Sequence, residues 1–111
     1  MLPLMVIKND GRREEFSRDK LLGGILRSCN KRNLPMESII DFAASIEREV
    51  RNTIEREITA KAIGELVMKR LRNFDEVAYI RFASVYRKFE DVESFRNELD
   101  GLTKGHPKKA S

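Results

Sequence analysis

The chain has 111 residues, of which 41% are hydrophobic and 36% are charged, and its formal net charge at pH 7 is +4. This length suits a single domain with one modest core, and the apolar content is too high for a disordered chain. The uncharged apolar run at residues 2–7 is far too short for a membrane-spanning helix, and no secretory signal pattern is present, so a cytoplasmic protein is expected.

Single-residue counts limit the chemistry that the chain can carry. Cys29 is the only cysteine, which excludes an internal disulfide and a metal site built from several thiolates. His106 is the only histidine, which argues against His-pair metal sites and a Ser–His–Asp triad. Much of the net positive charge comes from Lys104, Lys108 and Lys109 near the C-terminus, so the total charge is weak evidence for nucleic-acid binding. The sequence therefore predicts a protein that is not an enzyme.

A β-hairpin is predicted at the N-terminus. Residues 2–8 are apolar and β-branched, residues 12–16 resume with long side chains, and Asp10-Gly11 between them suits a type I′ turn. Because an isolated hairpin is only marginally stable, it is expected to pack on the helices that follow.

Five helices are predicted from their caps and apolar periodicity. Ser17, Thr59 and Asp75 are candidate N-caps, and Pro35 suits the first position of the second helix. The fifth helix is expected to end at Gly101. The apolar residues that form the helical stripes, in helix order, are Leu21, Leu22, Ile25, Leu26 and Cys29; Ile39, Ala43, Ile46 and Val50; Ile63, Leu66, Val67 and Leu71; Val77, Ile80, Phe82, Val85 and Phe89; and Val92, Phe95 and Leu99.

These elements predict an α+β fold that is mainly α, with the hairpin packed on a four-helix bundle and a short extra C-terminal helix. Residues 51–58 are polar and irregular and are predicted to form a connection. Residues 1–100 are expected to form one domain, and residues 101–111 a disordered basic tail.

Three local features leave alternatives open. Gly23-Gly24 inside the first helix indicates close approach of another backbone or of a ligand, and close packing is favoured. The basic residues of the hairpin and first helix indicate either an anion site at the helix N-terminus or a solvated charged surface. The run at residues 81–89, in which aromatic and basic side chains alternate, can either contact nucleic acid or divide into core and surface.

The hairpin residues together resemble the opening of the ATP-cone family: Val6-x-Lys8-x-Asp10-Gly11-Arg12-x-Glu14-x-Phe16-x-x-x-Lys20. This resemblance implies a small hairpin-plus-four-helix domain that binds ATP or dATP as an allosteric effector. Residues 2–8 (LPLMVIK), 63–68 (IGELVM) and 75–86 (DEVAYIRFASVY) are more specifically similar to the NrdR family, the bacterial repressors of ribonucleotide reductase genes. The resemblance covers residues 2–95.

The resemblance also implies binding residues. Lys8 and Lys20 would hold phosphates, helped by Asn9, which stands where the family commonly has a basic residue, and by Arg12 or Arg13. The remaining implied contacts are Val6 beside the adenine, Glu14 accepting from the base amino group or a neighbouring polar atom, Phe16 on the pocket wall, Ile63, Tyr86 closing the site and Lys88 near the phosphates. Mg²⁺ bridging the phosphates is expected without a dedicated carboxylate ligand.

Three functions are compatible with the sequence. The first is a nucleotide-sensing domain of a repressor, which forms homo-oligomers through the cone. In that family DNA is contacted by an N-terminal zinc ribbon of four cysteines, so zinc is expected only in such a ribbon, which this sequence does not contain. The second is a detached activity-regulating cone of a ribonucleotide reductase. The third is a nucleic-acid-binding module that uses the basic helix and tail.

Overall fold

The structure is a computed structural model that describes residues 3–105 as five helices and three short strands. In chain order the elements are β1 (Met5–Ile7), β2 (Arg13–Glu15), α1 (Arg18–Ser28), α2 (Met36–Arg51), β3 (Glu57–Thr59), α3 (Ala60–Phe74), α4 (Glu76–Tyr86) and α5 (Val92–Gly105). The predicted class, α+β and mainly α with an N-terminal hairpin, is confirmed. Among the described residues, no helix is both long and apolar enough to cross a membrane.

The three strands form one sheet in the order β2-β1-β3. β2 pairs with β1 antiparallel, with Val6 opposite Glu14, and β3 pairs with β1 parallel, with Val6 opposite Ile58. The prediction of an irregular connection over residues 51–58 is therefore wrong for residues 57 and 58, which belong to β3. β3 has only three residues and one apolar side chain, so its strand character comes from pairing with β1 and leaves almost no local pattern.

The hairpin is confirmed, but the predicted type I′ turn is wrong. Such a turn needs two consecutive positive φ angles, whereas Gly11 has a φ of 90° and Asp10 is not in the positive region. The Lys8 backbone N–H donates to the Arg12 carbonyl at 2.7 Å, and the Gly11 N–H donates to the Lys8 carbonyl at 2.9 Å. These bonds close a three-residue loop in which only the last residue has to be glycine.

The three predicted side-chain N-caps are confirmed. Each cap oxygen accepts from the backbone N–H three residues later: Ser17 from Lys20 at 3.2 Å, Thr59 from Ala62 at 3.0 Å and Asp75 from Ala78 at 2.9 Å. Pro35 precedes the first helical residue, Met36, by one position. These caps satisfy free N–H groups at the helix starts and thereby define where α1, α3 and α4 begin.

The core lies between α1, α2, α3 and α4, and its fully buried side chains include Ile25, Ile46 and Leu71. The predicted buried face of α2 is confirmed in full. The prediction for α4 is wrong at Val85, which is 75% exposed. The buried face of α4 instead consists of Ala78, Tyr79 and Ala83, because α4 packs against both α1 and α3 and small residues allow that approach.

The fifth helix continues past Gly101 to Gly105, so its predicted end at Gly101 is wrong. A glycine inside a helix costs about 1 kcal/mol. Two contacts offset this cost, since Leu102 is buried and the Arg72 side chain donates to the Gly101 carbonyl at 2.6 Å. Residues 101–105 of the predicted tail are thus helical, and residues 106–111, with the histidine, lie outside the described residues.

Glu47 on α2 is a nearly buried carboxylate held by two arginines. It accepts from Arg18 Nε at 2.7 Å and from Arg51 Nε at 2.7 Å, and Arg51 also lies over the Phe16 ring, 4.9 Å from its centre. The hydrogen bond from Arg18 is the largest cause that holds the pKa of Glu47 below its ordinary value of 4.5, although burial alone would raise it. This cluster fixes the α1–α2 packing on one side of Phe16.

Replacement of Glu47 with glutamine is expected to lower the free energy of unfolding by about 1–3 kcal/mol at pH 7, because an amide cannot replace the charged bonds to both arginines. The folded-state pKa is depressed, so the contribution is complete above pH 4.5 and is lost as pH falls through the folded-state pKa. Urea denaturation should show a gap between wild type and Glu47→Gln that narrows in acid. Asp41→Asn, on the exposed side of α2, is the control and should change stability by less than about 0.5 kcal/mol.

Candidate nucleotide-binding site

A cavity of about 310 Å³ lies where the hairpin meets the starts of α1 and α3 and the end of α4. Its size is at the lower end of the range for small-molecule pockets, about 300–1,000 Å³. Its lining residues are Val6, Lys8, Asn9, Glu14, Glu15, Phe16, Ser17, Lys20, Leu21, Gly24, Ala60, Lys61, Ile63, Gly64, Val67, Phe82 and Tyr86. The cavity thus combines apolar walls with several charged side chains.

The charged part of the cavity contains two lysines that share one carboxylate. Glu14 Oε1 lies 3.2 Å from Lys20 Nζ and 3.7 Å from Lys8 Nζ. The two ammonium groups therefore lie no farther apart than the sum of these distances. The hydrogen bond from Lys20, together with its charge, holds the pKa of Glu14 below its ordinary value, so the carboxylate is ionised at neutral pH. This arrangement places two mobile cations where one polyanion can contact both.

The apolar part of the cavity includes two stacked aromatic rings from α4. The rings of Phe82 and Tyr86 have centres 6.2 Å apart and are inclined by 17°. The Tyr86 ring lies directly on Gly64, where an added Cβ would approach the ring to 2.1 Å. The Tyr86 hydroxyl donates to the Lys61 carbonyl at 2.9 Å, which fixes the ring across α3. Burial raises the pKa of Tyr86, so its hydroxyl is protonated and can donate.

Gly23-Gly24 does not mark close helix packing, and that favoured prediction is wrong. A Cβ at either position would meet only the flexible end of the Arg27 side chain, at 3.5 Å and 3.8 Å. Gly24 instead lines the cavity, where the missing side chain leaves room beside Leu21. For Gly24 this finding favours the alternative, in which the missing side chain leaves space for a ligand, whereas Gly23 is not part of the lining.

Eight of the nine predicted nucleotide-binding residues line this one cavity, namely Val6, Lys8, Asn9, Glu14, Phe16, Lys20, Ile63 and Tyr86. The ninth, Lys88, follows the end of α4 with a φ of 50° and is not among the lining residues. Arg12 and Arg13, named as helpers, are also absent from the lining. Arg12 pairs with Asp10 at 2.7 Å and Arg13 pairs with Glu57.

Sequence reasoning missed several lining residues, of which Lys61, Gly64 and Phe82 bear most on ligand binding. Lys61 carried no signal because β3, which positions the start of α3, was not predicted. Gly64 interrupts a helix pattern and so carried a signal, since a glycine there costs about 1 kcal/mol unless it serves packing or function. Phe82 was assigned to the core.

The two arginines of the run at residues 81–89 have partners inside the protein. Arg81 donates to the carbonyls of Ser28 at 3.2 Å and Asn30 at 2.5 Å, where α1 ends. Arg87 lies 3.4 Å from Glu98 and 3.8 Å from Glu65. These contacts favour the structural interpretation of the arginines, while the aromatic residues of the same helix contribute to the cavity.

A second, larger groove of about 1110 Å³ lies along α1 and α2, but it is a poor candidate for an anion site. Three of its four arginines are already paired, Arg18 and Arg51 with Glu47 and Arg70 with Glu49. It also contains none of the residues that the family resemblance implies. The smaller cavity therefore remains the candidate site.

The cavity residues fit an adenine nucleotide. The apolar walls can bury a base, and the lysines with Asn9 supply donors for phosphates. Among residues 3–105, no group of three or more His, Cys, Asp or Glu side chains is arranged to hold a metal ion. Cys29 is buried, and this burial raises the pKa of its thiol.

Comparisons with known proteins point to one family. The sequence profile of the ATP cone domain matches residues 4–92. A protein of Symbiobacterium thermophilum named Transcriptional repressor NrdR is 55% identical over 102 residues, which is 92% of this chain and 68% of that protein. Proteins of the same name from Desulfitobacterium hafniense and Thermoanaerobacter pseudethanolicus are 59% and 48% identical over 90% and 97% of this chain, and over 65% and 68% of their own lengths.

These names are those of transcriptional repressors and not of enzymes, in agreement with the prediction of a non-enzymatic protein. The matched region, residues 4–92, contains every element that forms the cavity. The chain therefore belongs to the NrdR family of transcriptional repressors and carries an ATP-cone domain.

Proposed function

We propose that this chain is the ATP- and dATP-sensing domain of a repressor of ribonucleotide reductase genes, and that the cavity at the hairpin is its nucleotide site. The observation that carries the proposal is the convergence of Lys8 and Lys20 on Glu14 beside apolar walls. Lys8, Lys20 and Asn9 bind the phosphates, and the base lies against the apolar walls formed by Val6, Phe16 and other residues. Mg²⁺ accompanies the phosphates.

In this proposal Glu14 acts first on the protein and then on the ligand. Both ammonium groups lie on this carboxylate, and its negative charge offsets their mutual repulsion before a nucleotide arrives. When the phosphates bind the two lysines, Glu14 Oε1 is released from its ion pairs. It can then accept a hydrogen bond from the base amino group or from a neighbouring polar atom. The predicted role of Glu14 as an acceptor thereby becomes compatible with its present ion pairs.

The nucleotide acts as an effector that shifts the population of oligomers. ATP and dATP would favour different packings of one cone on another, and each can shift that equilibrium only by its difference in affinity for the two packings. Exposed apolar side chains on α4 and α5 support a contact there, since Val85 is 75% exposed and Val92 is 70% exposed. DNA binding would belong to the longer repressor and take place in the cytoplasm, with zinc in its ribbon.

The alternative function, a detached cone that regulates a ribonucleotide reductase, uses the same cavity. The names of the relatives favour the repressor, because those compared are named as repressors. A nucleic-acid-binding module is less well supported, since Arg81 and Arg87 are bonded within the protein.

Isothermal titration of the purified chain is expected to give micromolar dissociation constants for both ATP and dATP. This range reflects two charge-assisted phosphate contacts together with a buried base. GTP is the control, and it should bind more weakly because its base presents a carbonyl where adenine presents an amino group. Native mass spectrometry of the same samples reports nucleotide stoichiometry and any change of oligomer. No heat with either adenine nucleotide would refute the proposed function.

A further inference from the structure

Lys61 lies at the same edge of the sheet as Lys8, although the two residues are far apart in sequence. β1 and β3 run parallel with Ile7 opposite Thr59, so the residues that follow both strands emerge at one edge. Lys8 follows Ile7 directly, and Lys61 follows Thr59 after one residue. In sheets with parallel strands, ligands commonly bind just outside the carboxyl ends of those strands. Both lysines accordingly line the cavity.

The charge of Lys61 differs from that of the other two cavity lysines because it is not neutralised. Lys8 and Lys20 share the carboxylate of Glu14, whereas within residues 3–105 no carboxylate lies within ion-pair distance of Lys61. The lining as a whole contains three ammonium groups and two carboxylates, those of Glu14 and Glu15. The cavity therefore keeps an excess of positive charge, which an anionic ligand would compensate.

The backbone of Lys61 is fixed at the wall of the cavity. Lys61 is the second residue of α3, and its carbonyl accepts the hydrogen bond from the Tyr86 hydroxyl at 2.9 Å. Its side chain therefore starts from a rigid point, and only its own rotamers remain to be ordered when a ligand binds. An ammonium on such a stem can supply up to three donors to phosphate oxygens.

We propose that Lys61 is a phosphate-binding residue of the nucleotide site and contacts the phosphate chain from the α3 side, in addition to the Lys8–Lys20 pair. The proposal rests on the proposed function, since it assigns a third cation to the same ligand. Its consequence is selectivity for phosphate number. A nucleotide whose phosphate chain reaches both the Lys8–Lys20 pair and Lys61 gains a contact that a nucleotide with fewer phosphates lacks.

The test is titration of ATP and AMP into wild type, Lys61→Ala and Lys61→Arg. Lys61→Ala is expected to weaken ATP binding about tenfold and AMP binding much less, because a charge-assisted contact is lost only for the longer chain. Lys61→Arg should restore most of the ATP affinity. Raising the salt concentration from about 0.05 M to about 0.5 M should reduce the difference in ATP affinity between wild type and Lys61→Ala, because screening weakens a contact between charges.

Lys69→Ala is the matched control, because Lys69 is an exposed lysine on the same helix and is not part of the cavity lining. Equal ATP affinities for wild type, Lys61→Ala and Lys69→Ala would overturn the role of Lys61 and leave the proposed function standing. A salt-independent loss that arginine does not rescue would also overturn it, since that result indicates a structural role. Absence of ATP binding by the wild type would instead refute the proposed function itself.

Discussion

Lys8→Ala is expected to weaken ATP binding about 30-fold or more while the domain still folds. Lys8 follows the central strand, and its ammonium lies 3.7 Å from the shared carboxylate of Glu14 in the charged part of the cavity. A hydrogen bond to a charged group contributes about 1.5–3 kcal/mol, and about 2 kcal/mol corresponds to a 30-fold change in the dissociation constant. Isothermal titration measures the affinity, and circular dichroism with a thermal melt verifies the fold.

Arg12→Ala is the matched control for this substitution. Arg12 is a cation of the same hairpin, but its side chain pairs with Asp10 and does not line the cavity. It should therefore leave the ATP affinity within about a factor of two, as expected for a surface substitution away from the site. If Lys8→Ala bound ATP as tightly as Arg12→Ala, the assignment of the phosphates to this end of the cavity would be wrong.

Gly64→Ala is expected to cost both stability and nucleotide affinity. The new Cβ would lie 2.1 Å from a Tyr86 ring carbon, so the ring has to leave its position and give up its hydrogen bond to the Lys61 carbonyl. Overpacking of this kind costs about 1–3 kcal/mol of folding free energy. The displaced ring also removes one wall of the cavity. Thermal denaturation and ATP titration should both detect the change.

A double-mutant cycle identifies the cause. In a Tyr86→Ala background the steric conflict is absent, so Gly64→Ala should become neutral or stabilising by up to about 1 kcal/mol through helix propensity. Gly101→Ala offers an independent control, because a Cβ there meets nothing within 4 Å and the residue lies inside α5. An equally destabilising Gly64→Ala in both backgrounds would show that the Tyr86 ring is not the reason.

The helical part of the fold was predictable because its signals are local. Ser17, Thr59 and Asp75 cap their helices as expected, and the apolar stripe of α2 is buried at every predicted position. Apart from the turn type of the hairpin, which is a local error, the main errors share a physical cause, since each depended on contacts between distant segments. β3 exists because β1 pairs with it, Val85 is exposed because small residues of α4 face two helices, and α5 continues because its last turns pack against the domain.

The candidate site was predicted through resemblance more than through physics. The hairpin charges alone favoured a solvated surface over an anion site, and the family pattern selected the residues, most of which the structure brings into one cavity. The resemblance also implied Lys88 near the phosphates, but Lys88 lies past the end of α4 and outside the lining. Lys61 was missed because nothing in its own neighbourhood indicates that it adjoins the hairpin.

The parallel pairing of β1 with β3 has a consequence for how the domain folds. Helices α1 and α2 lie between these strands in the chain, so formation of the strand pair closes a long loop. The entropic cost of closing this loop comes before the contacts between the strands can stabilise the pair. We therefore expect the helices to assemble early and the strand pair to form late, with low local stability. A ligand that binds only the completed cavity then supplies free energy to the last folding step. Nucleotide binding and the last step of folding would then be coupled in one equilibrium.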